Sequence, residues 1–424
     1  MSYDSAFAAV CQNVLEAELV PAMGCTEPIA IAYAGALVRR SLGTIPQRMA
    51  LAVSSNIIKN AKSAVVPNTE GLKGLQAALV AGAVAGRAEA QLEVLAQVTG
   101  QQKAEMKAFL ETCPIEVRCA EGDEVFDILA EAWAGEHHAR VRITGCHTNL
   151  VLLEHDGVVE YAGSPSADAG NSTDYEQLTV EKIYAYATEC DLTPTWELLE
   201  RQIEFNSAIR DEGLTGKWGA AVGRTLLDSF GNAPAVRARA AAAAGSDARM
   251  SGCELPVIIN SGSGNQGMTA SLPVIEYANA IGADRERLHR ALLLSNLLTI
   301  HMKTGIGRLS AYCGAVSAGC AAGAAIAWLC GGGLDEVAHT LVNSVAITSG
   351  IICDGAKPSC AAKIASAVDA GLLGWQMYQA GRQFYDGEGI VSKGVENTLA
   401  NVGRVGSIGM RQTDLEIIRI MTGE

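Results

Sequence analysis

Residues 351–360 read IICDGAKPSC, placing two thiols, a carboxylate and an ammonium on one tight turn. Six residues separate Cys353 from Cys360, among them Asp354, Gly355, Lys357 and Pro358. A disulfide, a metal site, a thiol nucleophile or plain packing would each use such residues. A further thiol, Cys313, lies in the Gly-rich stretch GIGRLSAYCGA (305–315), with 39 residues between it and Cys353. This is not the short paired spacing of zinc fingers or ribbons, nor the closely spaced run of bacterial ferredoxins. Three thiolates drawn from separate helix ends could still hold one face of an iron–sulfur cube and leave one iron open.

PAMGCTEPIAIAYA (21–34) sets another thiol at the start of a helix. Thr26 suits the cap and Pro28 the first turn, which leaves Cys25 at the positive end. A thiol there is expected to ionise more readily and can act as a general base. A small buried hydrophobe is the alternative. In VIINSGSGNQGMTASLPVIEYA (257–278), Gly262, Gly264 and Gly267 have dinucleotide-fingerprint spacing. That fingerprint also needs a returning parallel strand with an acidic residue, and the following segments look helical. Ser261, Ser263, Asn265 and Gln266 instead put hydroxyls and amides at a helix start, where a carboxylate would be welcome. An ordinary capping loop is the plainer reading.

The elements that must position these residues follow from composition and pattern. The chain has 424 residues, enough for two domains, and a formal net charge of −14 with a pI near 5.1. That balance argues against nucleic acid or an anionic membrane as a partner. MSYDSAF shows no secretory pattern, so the twelve cysteines are expected to stay reduced in a cytoplasmic protein. The disulfide reading falls on that ground. Residues 311–330 are uncharged over a span's length, but their Ala, Gly, Ser and Cys content predicts a buried central helix. Cys11, Cys113, Cys119, Cys146, Cys190, Cys253, Cys320 and Cys330 lack comparable loops and read as packing.

Apolar periodicity predicts helices over 4–20 and 27–42. Residues 49–55, 115–119, 139–145, 149–155 and 158–163 read as strands, with a hairpin at Asp156-Gly157. Helices are predicted over 71–86 and around 105–111. The polar stretch 164–174 reads as a boundary. Beyond it come helices over 178–188, 195–211, 217–230, 233–245, 268–281, 284–300, 311–330, 334–348 and 360–379. The expected fold is mainly α with an α+β part. Residues 1–45 and 166–424 would form a helical catalytic domain, and 46–165 a smaller α+β domain.

Taken together, GCTEP, KNAKSAVVPNT, GCHTNLV, SGSGNQG, GRLSAYCGA and ICDGAKPSCAAK resemble the L-cysteine desulfidase family over nearly the whole chain. That family is also grouped with uncharacterised proteins and is related to the iron–sulfur L-serine dehydratase α-chain. The resemblance implies a [4Fe–4S] cluster on Cys313, Cys353 and Cys360, with Cys25 as base and no pyridoxal phosphate. It implies β-elimination of L-cysteine to pyruvate, ammonia and sulfide, with an open iron as Lewis acid. L-serine is the alternative substrate, and a cluster- or amino-acid-binding protein without turnover is the alternative class. Ser261, Gly262, Ser263, Gly264, Asn265, Lys357, Asn60 and His147 are the expected substrate-binding residues. For Lys357, as for Asp354, a solvated ion pair is the competing role. His147, in GCHTN, either assists acid–base work or is a satisfied structural histidine. The partner is a small amino acid, and a homo-oligomer is left open.

Overall fold

The computed structural model describes residues 3–122, 124–164 and 172–423. The chain opens with α1 (Ser5–Glu18), β1 (Pro21–Met23) and α2 (Thr26–Leu42). Next come β2 (Arg48–Val53), α3 (Ser55–Ala61), α4 (Gly74–Ala85) and α5 (Gly100–Thr112). The strands β3 (Ile115–Cys119), β4 (Asp127–Ala134), β5 (His137–Thr144), β6 (Leu150–His155) and β7 (Val158–Ala162) complete this part.

These strands and β2 form one six-stranded sheet in the order β3-β2-β4-β5-β6-β7. Among the described strands of this sheet, only β2 and β3 run parallel. Alternation fixes which face is dry. Met49, Leu51 and Val53, then Ile128, Ala130 and Ala132, then Ala139, Val141 and Ile143, are all fully buried. Helix α2 packs on β4, β5 and α4. The division expected between residues 45 and 46 therefore cuts between elements that pack on each other. At the sheet's far edge β7 is exposed along its length and joins β6 through a register shift. Such an irregularity blunts an open edge. Asp156 and Gly157 both take positive φ, 49° and 81°, as a two-residue hairpin turn requires.

The remainder is helical. It comprises α6 (Ser172–Glu176), α7 (Val180–Glu189), α8 (Trp196–Gly213), α9 (Val222–Phe230), α10 (Pro234–Met250), the short β8 (Pro256–Ile258) and α11 (Gly264–Ile281). Then follow α12 (Arg285–Ile306), α13 (Gly314–Leu329), α14 (Leu334–Thr348), α15 (Cys360–Gln379), α16 (Val395–Arg404) and α17 (Arg411–Thr422). The protein is thus mainly α with an α+β part. The boundary expected at 164–174 lies partly outside the described residues.

Helix α13 runs through the middle of this part, against α11, α12, α14 and α15. A Cβ on Gly319 would stand 2.5 Å from the carbonyl carbon of Ala367, so glycine lets the axes of α13 and α15 approach. Among the described residues no helix is long and apolar enough to cross a membrane. The helix expected from 311 begins at Gly314, because Tyr312 is held in a β-bridge with Ile352. One antiparallel pair, β1 with β8, stitches the N-terminal segment to the helical part. It places the start of α2 beside the loop that leads into α11.

Candidate active site

Four helices begin at one cleft, whose cavity volume is about 100 Å³. Cys25 is the N-cap residue of α2, Ser263 of α11 and Cys313 of α13, while Cys360 is the first residue of α15. Cys25, Cys313, Cys353 and Cys360 all line this cleft, together with Asn60, His147, Ser261, Gly262, Ser263 and Asn265.

Local bonds explain how distant thiols meet. Cys353 N donates to Ala311 O at 2.6 Å and Cys313 N to Ile351 O at 3.2 Å. This two-strand clasp spans the long sequence gap between the two cysteines. The turn then closes as Cys360 N donates to Lys357 O at 3.0 Å and Cys360 Sγ to Gly355 O at 3.6 Å. Gly355 has φ +95°, and a Cβ there would stand 2.3 Å from Lys59 O. Only glycine permits both the conformation and that approach. Lys59 itself is buried, its Nζ 2.5 Å from Asp414 Oδ1 on α17 and 3.5 Å from Ser310 O.

Lys357 and Gly264 do not line the cleft with the others. The Lys357 ammonium is held by Asp354, through its carboxylate and through its carbonyl at 3.0 Å, and lies 3.3 Å from Gly355 O. Lys363 bonds the same carboxylate. Gly264 opens α11 beneath Arg249.

Cys25 departs from expectation. Its side chain is 5% exposed, and burial pushes the thiol well above the ordinary thiol range. The Glu27 carboxylate adds to that rise, against the pull of Arg249. The helix end alone would favour the thiolate, but desolvation and an adjacent negative charge outweigh it. Cys25 Sγ donates to Glu27 Oε2 at 3.3 Å, and Asn60 Nδ2 donates to Glu27 Oε1 at 3.2 Å. Thr26 is not the cap. Its hydroxyl lies 2.9 Å from Gly262 O and 3.1 Å from Glu27 Oε2, tying α2 to the SGSGNQG loop.

His147 is buried beneath Phe126, and its Nε2 lacks a hydrogen-bond partner among the described residues. Burial lowers its pKa to about 4, with Arg308 and Arg249 acting the same way and Glu27 opposing them. It is therefore neutral near pH 7. Lys303, also buried in the wall, falls to about 8 through burial, with Cys353 and Cys313 opposing. Burial raises Cys313 to about 12, and Cys353 adds to it; Cys360 is raised as well, chiefly by burial.

Cys313, Cys353 and Cys360 are each half-buried in the cleft wall. The three sulfurs do not converge within 4.8 Å of one another, as ligands of a single ion would. Three thiols on one cleft wall, not gathered round a single point, are a donor set of the chemical type that an iron–sulfur cluster takes, with each ligand on its own iron. Among the described residues, His137, His155 and Asp156 do converge in that way, outside the cleft.

Sequence reasoning missed Glu27, Arg249, Lys303 and Arg308, all of which line the cleft. Each stands in the first or last turn of a helix or just beyond it, where charge ordinarily complements the helix dipole. The glycine pattern of the SGSGNQG loop does not make a dinucleotide site. The strand before it, β8, pairs antiparallel with β1 in a two-stranded sheet.

The model of the serine dehydratase alpha chain family matches residues 89–419. A UPF0597 protein of Desulfitobacterium hafniense is 56% identical over 97% of this chain and 96% of its own length. UPF0597 proteins of Lachnoclostridium phytofermentans and Finegoldia magna are 47% and 46% identical, each over 96% of this chain and 98% of the relative.

Proposed function

The chain belongs to the serine dehydratase alpha chain family, and from that premise we propose that it catalyses β-elimination from L-cysteine, releasing sulfide, pyruvate and ammonia. The observation that carries this reading is the meeting of Cys25 with Cys313, Cys353 and Cys360 in one cleft. Cys313, Cys353 and Cys360 would hold a [4Fe–4S] cluster, which when bound supplies a Lewis-acidic iron.

The rest of the chemistry belongs to the chain. Glu27 accepts the thiol proton of Cys25 along their 3.3 Å contact, and Cys25 then takes the α-proton of the substrate. Asn60 holds Glu27 in place for that exchange. Ser261, Ser263 and Asn265 border the space for the amino acid at the start of α11. Neutral His147, with an open Nε2, is a hydrogen-bonding group and not a second cation. Loss of the α-proton and the β-thiol leaves aminoacrylate, which water converts to pyruvate and ammonia.

The family's description favours a second reading, the same elimination from L-serine with water leaving. Anaerobically prepared protein should be assayed with both amino acids for pyruvate, and for sulfide with cysteine, alongside iron content. Pyruvate from serine alone selects the second reading. Amino-acid binding with no pyruvate from either substrate refutes both and leaves a binding protein.

A further inference from the structure

Arg249 lies in the last turn of α10, 3% exposed, on the wall of the cleft. Its Nη1 donates to Asn265 Oδ1 at 3.3 Å, while Nε and Nη2 are buried with no hydrogen-bond partner among the described residues. Among the described residues no acid forms an ion pair with it. The neighbouring Arg308 differs, since its Nη2 donates to Glu18 Oε1 at 3.0 Å. A guanidinium has a fixed fork of donors and cannot shed its charge, so burying it without a counter-charge is costly. The two open donors call for an anion, and a planar carboxylate matches the fork.

Two neighbours locate that anion. A Cβ on Gly264 would stand 2.4 Å from Arg249 Nε and 2.7 Å from Cζ, so the bare backbone at the start of α11 leaves room for the guanidinium. Met250, the residue after Arg249, is buried in one small cluster with Cys25, and Arg249 lowers the Cys25 thiol pKa against the larger effect of burial. Arg249 therefore stands close to Cys25 in the cleft wall. Glu27, on the same wall, is already bonded to Cys25, Thr26 and Asn60 and leaves Arg249 without a counter-charge.

We propose that Arg249 binds the α-carboxylate of an α-amino acid through Nε and Nη2, fixing the α-carbon beside Cys25. The identity of the substrate rests on the elimination reading; the need for a carboxylate does not. This assigns the carboxylate to a side chain at the end of α10, where the sequence pointed to the SGSGNQG amides.

Calorimetric binding of L-alanine, which has no β-leaving group, tests the assignment without turnover. Ethylamine, which is L-alanine without its carboxylate, is the control. Arg249→Met should weaken L-alanine by about 100-fold, within the range for removing one partner of a buried charge pair. Arg249→Lys keeps a charge but loses the fork and should cost about tenfold. Ethylamine should bind all three proteins alike. Unchanged L-alanine affinity in Arg249→Lys or Arg249→Met overturns the proposal, as does parallel weakening of ethylamine. Loss of iron with L-alanine affinity intact would make Arg249 a counter-ion of the cluster, which also overturns it. If wild type forms no pyruvate yet shows the expected L-alanine pattern, the elimination reading fails and the carboxylate site stands.

Discussion

Removing the carboxylate of Asp414 should cost the protein about 3 kcal/mol. Its partner, the Lys59 side chain, is 0% exposed, and Asp414 is 12% exposed at 2.5 Å. With alanine at 414, the ammonium would retain only the Ser310 carbonyl, at 3.5 Å. Breaking a buried pair by deleting one partner typically costs about 3–5 kcal/mol, because the remaining charge has lost its compensation. The slight exposure of Asp414 lets water approach, which sets the lower end of that range. For 424 residues the unfolding entropy is of order 0.9 kcal/mol/K, so the melting midpoint should fall by about 3 °C. Urea unfolding followed by circular dichroism gives the free energy directly, provided the slope is unchanged. The double variant Lys59→Met, Asp414→Leu removes both charges and should lie within about 1 kcal/mol of wild type. A loss under about 1 kcal/mol in Asp414→Ala would refute the reasoning. So would a double variant that is less stable than the single one.

Three further outcomes are expected. Cys25→Ala and Cys25→Ser should keep their iron yet lose about two to four orders of magnitude in pyruvate release, the usual cost of a positioned base; near-normal turnover would make Cys25 a packed thiol. Alanine at Cys313, Cys353 or Cys360 should abolish cluster-dependent visible absorption, and full iron content in any one variant would remove that residue from the ligand set. His147 makes stability depend on pH: folded it titrates near 4 and unfolded near 6.5, so the unfolded chain binds the extra proton first on acidification. Its contribution is intact above about pH 6.5 and falls by about 3 kcal/mol as pH drops toward 4, a slope that His147→Asn should flatten in denaturation curves.

Much of the scaffold was legible because local pattern and tertiary demand agree. IEVRC at 115–119 became β3 residue for residue, and Asp156-Gly157 made its hairpin. Strand β4 was not foreseen. Its sequence DILAEAWA is rich in alanine and acid, poor formers of strands, and its place between β2 and β5 overrides that preference. The thiols were legible because unusual turns surround them. The buried charges were not. Arg249 looks like any basic residue closing a helix and Glu27 like any acid opening one, and only packing shows that neither reaches solvent. The expected shift of Cys25 failed for the same reason: a helix end is visible in sequence, whereas the desolvation around it is not.

The convergence of four helix amino ends also shapes the field that an approaching molecule meets. At long range the chain, at −14, repels anions. Over the last few ångströms the helix ends, Arg249, Arg308 and Lys303 present positive potential instead. On the proposed function, a net-neutral zwitterion would cross the outer region without hindrance and be turned carboxylate-first only at the mouth. Dissolved salt screens the outer field, whose range is about 8–10 Å at ordinary ionic strength, far more than the buried one. If the proposed function holds, raising ionic strength should leave capture of a neutral amino acid nearly constant while easing the entry of a dianionic competitor, and the cleft would select by distance as well as by contact.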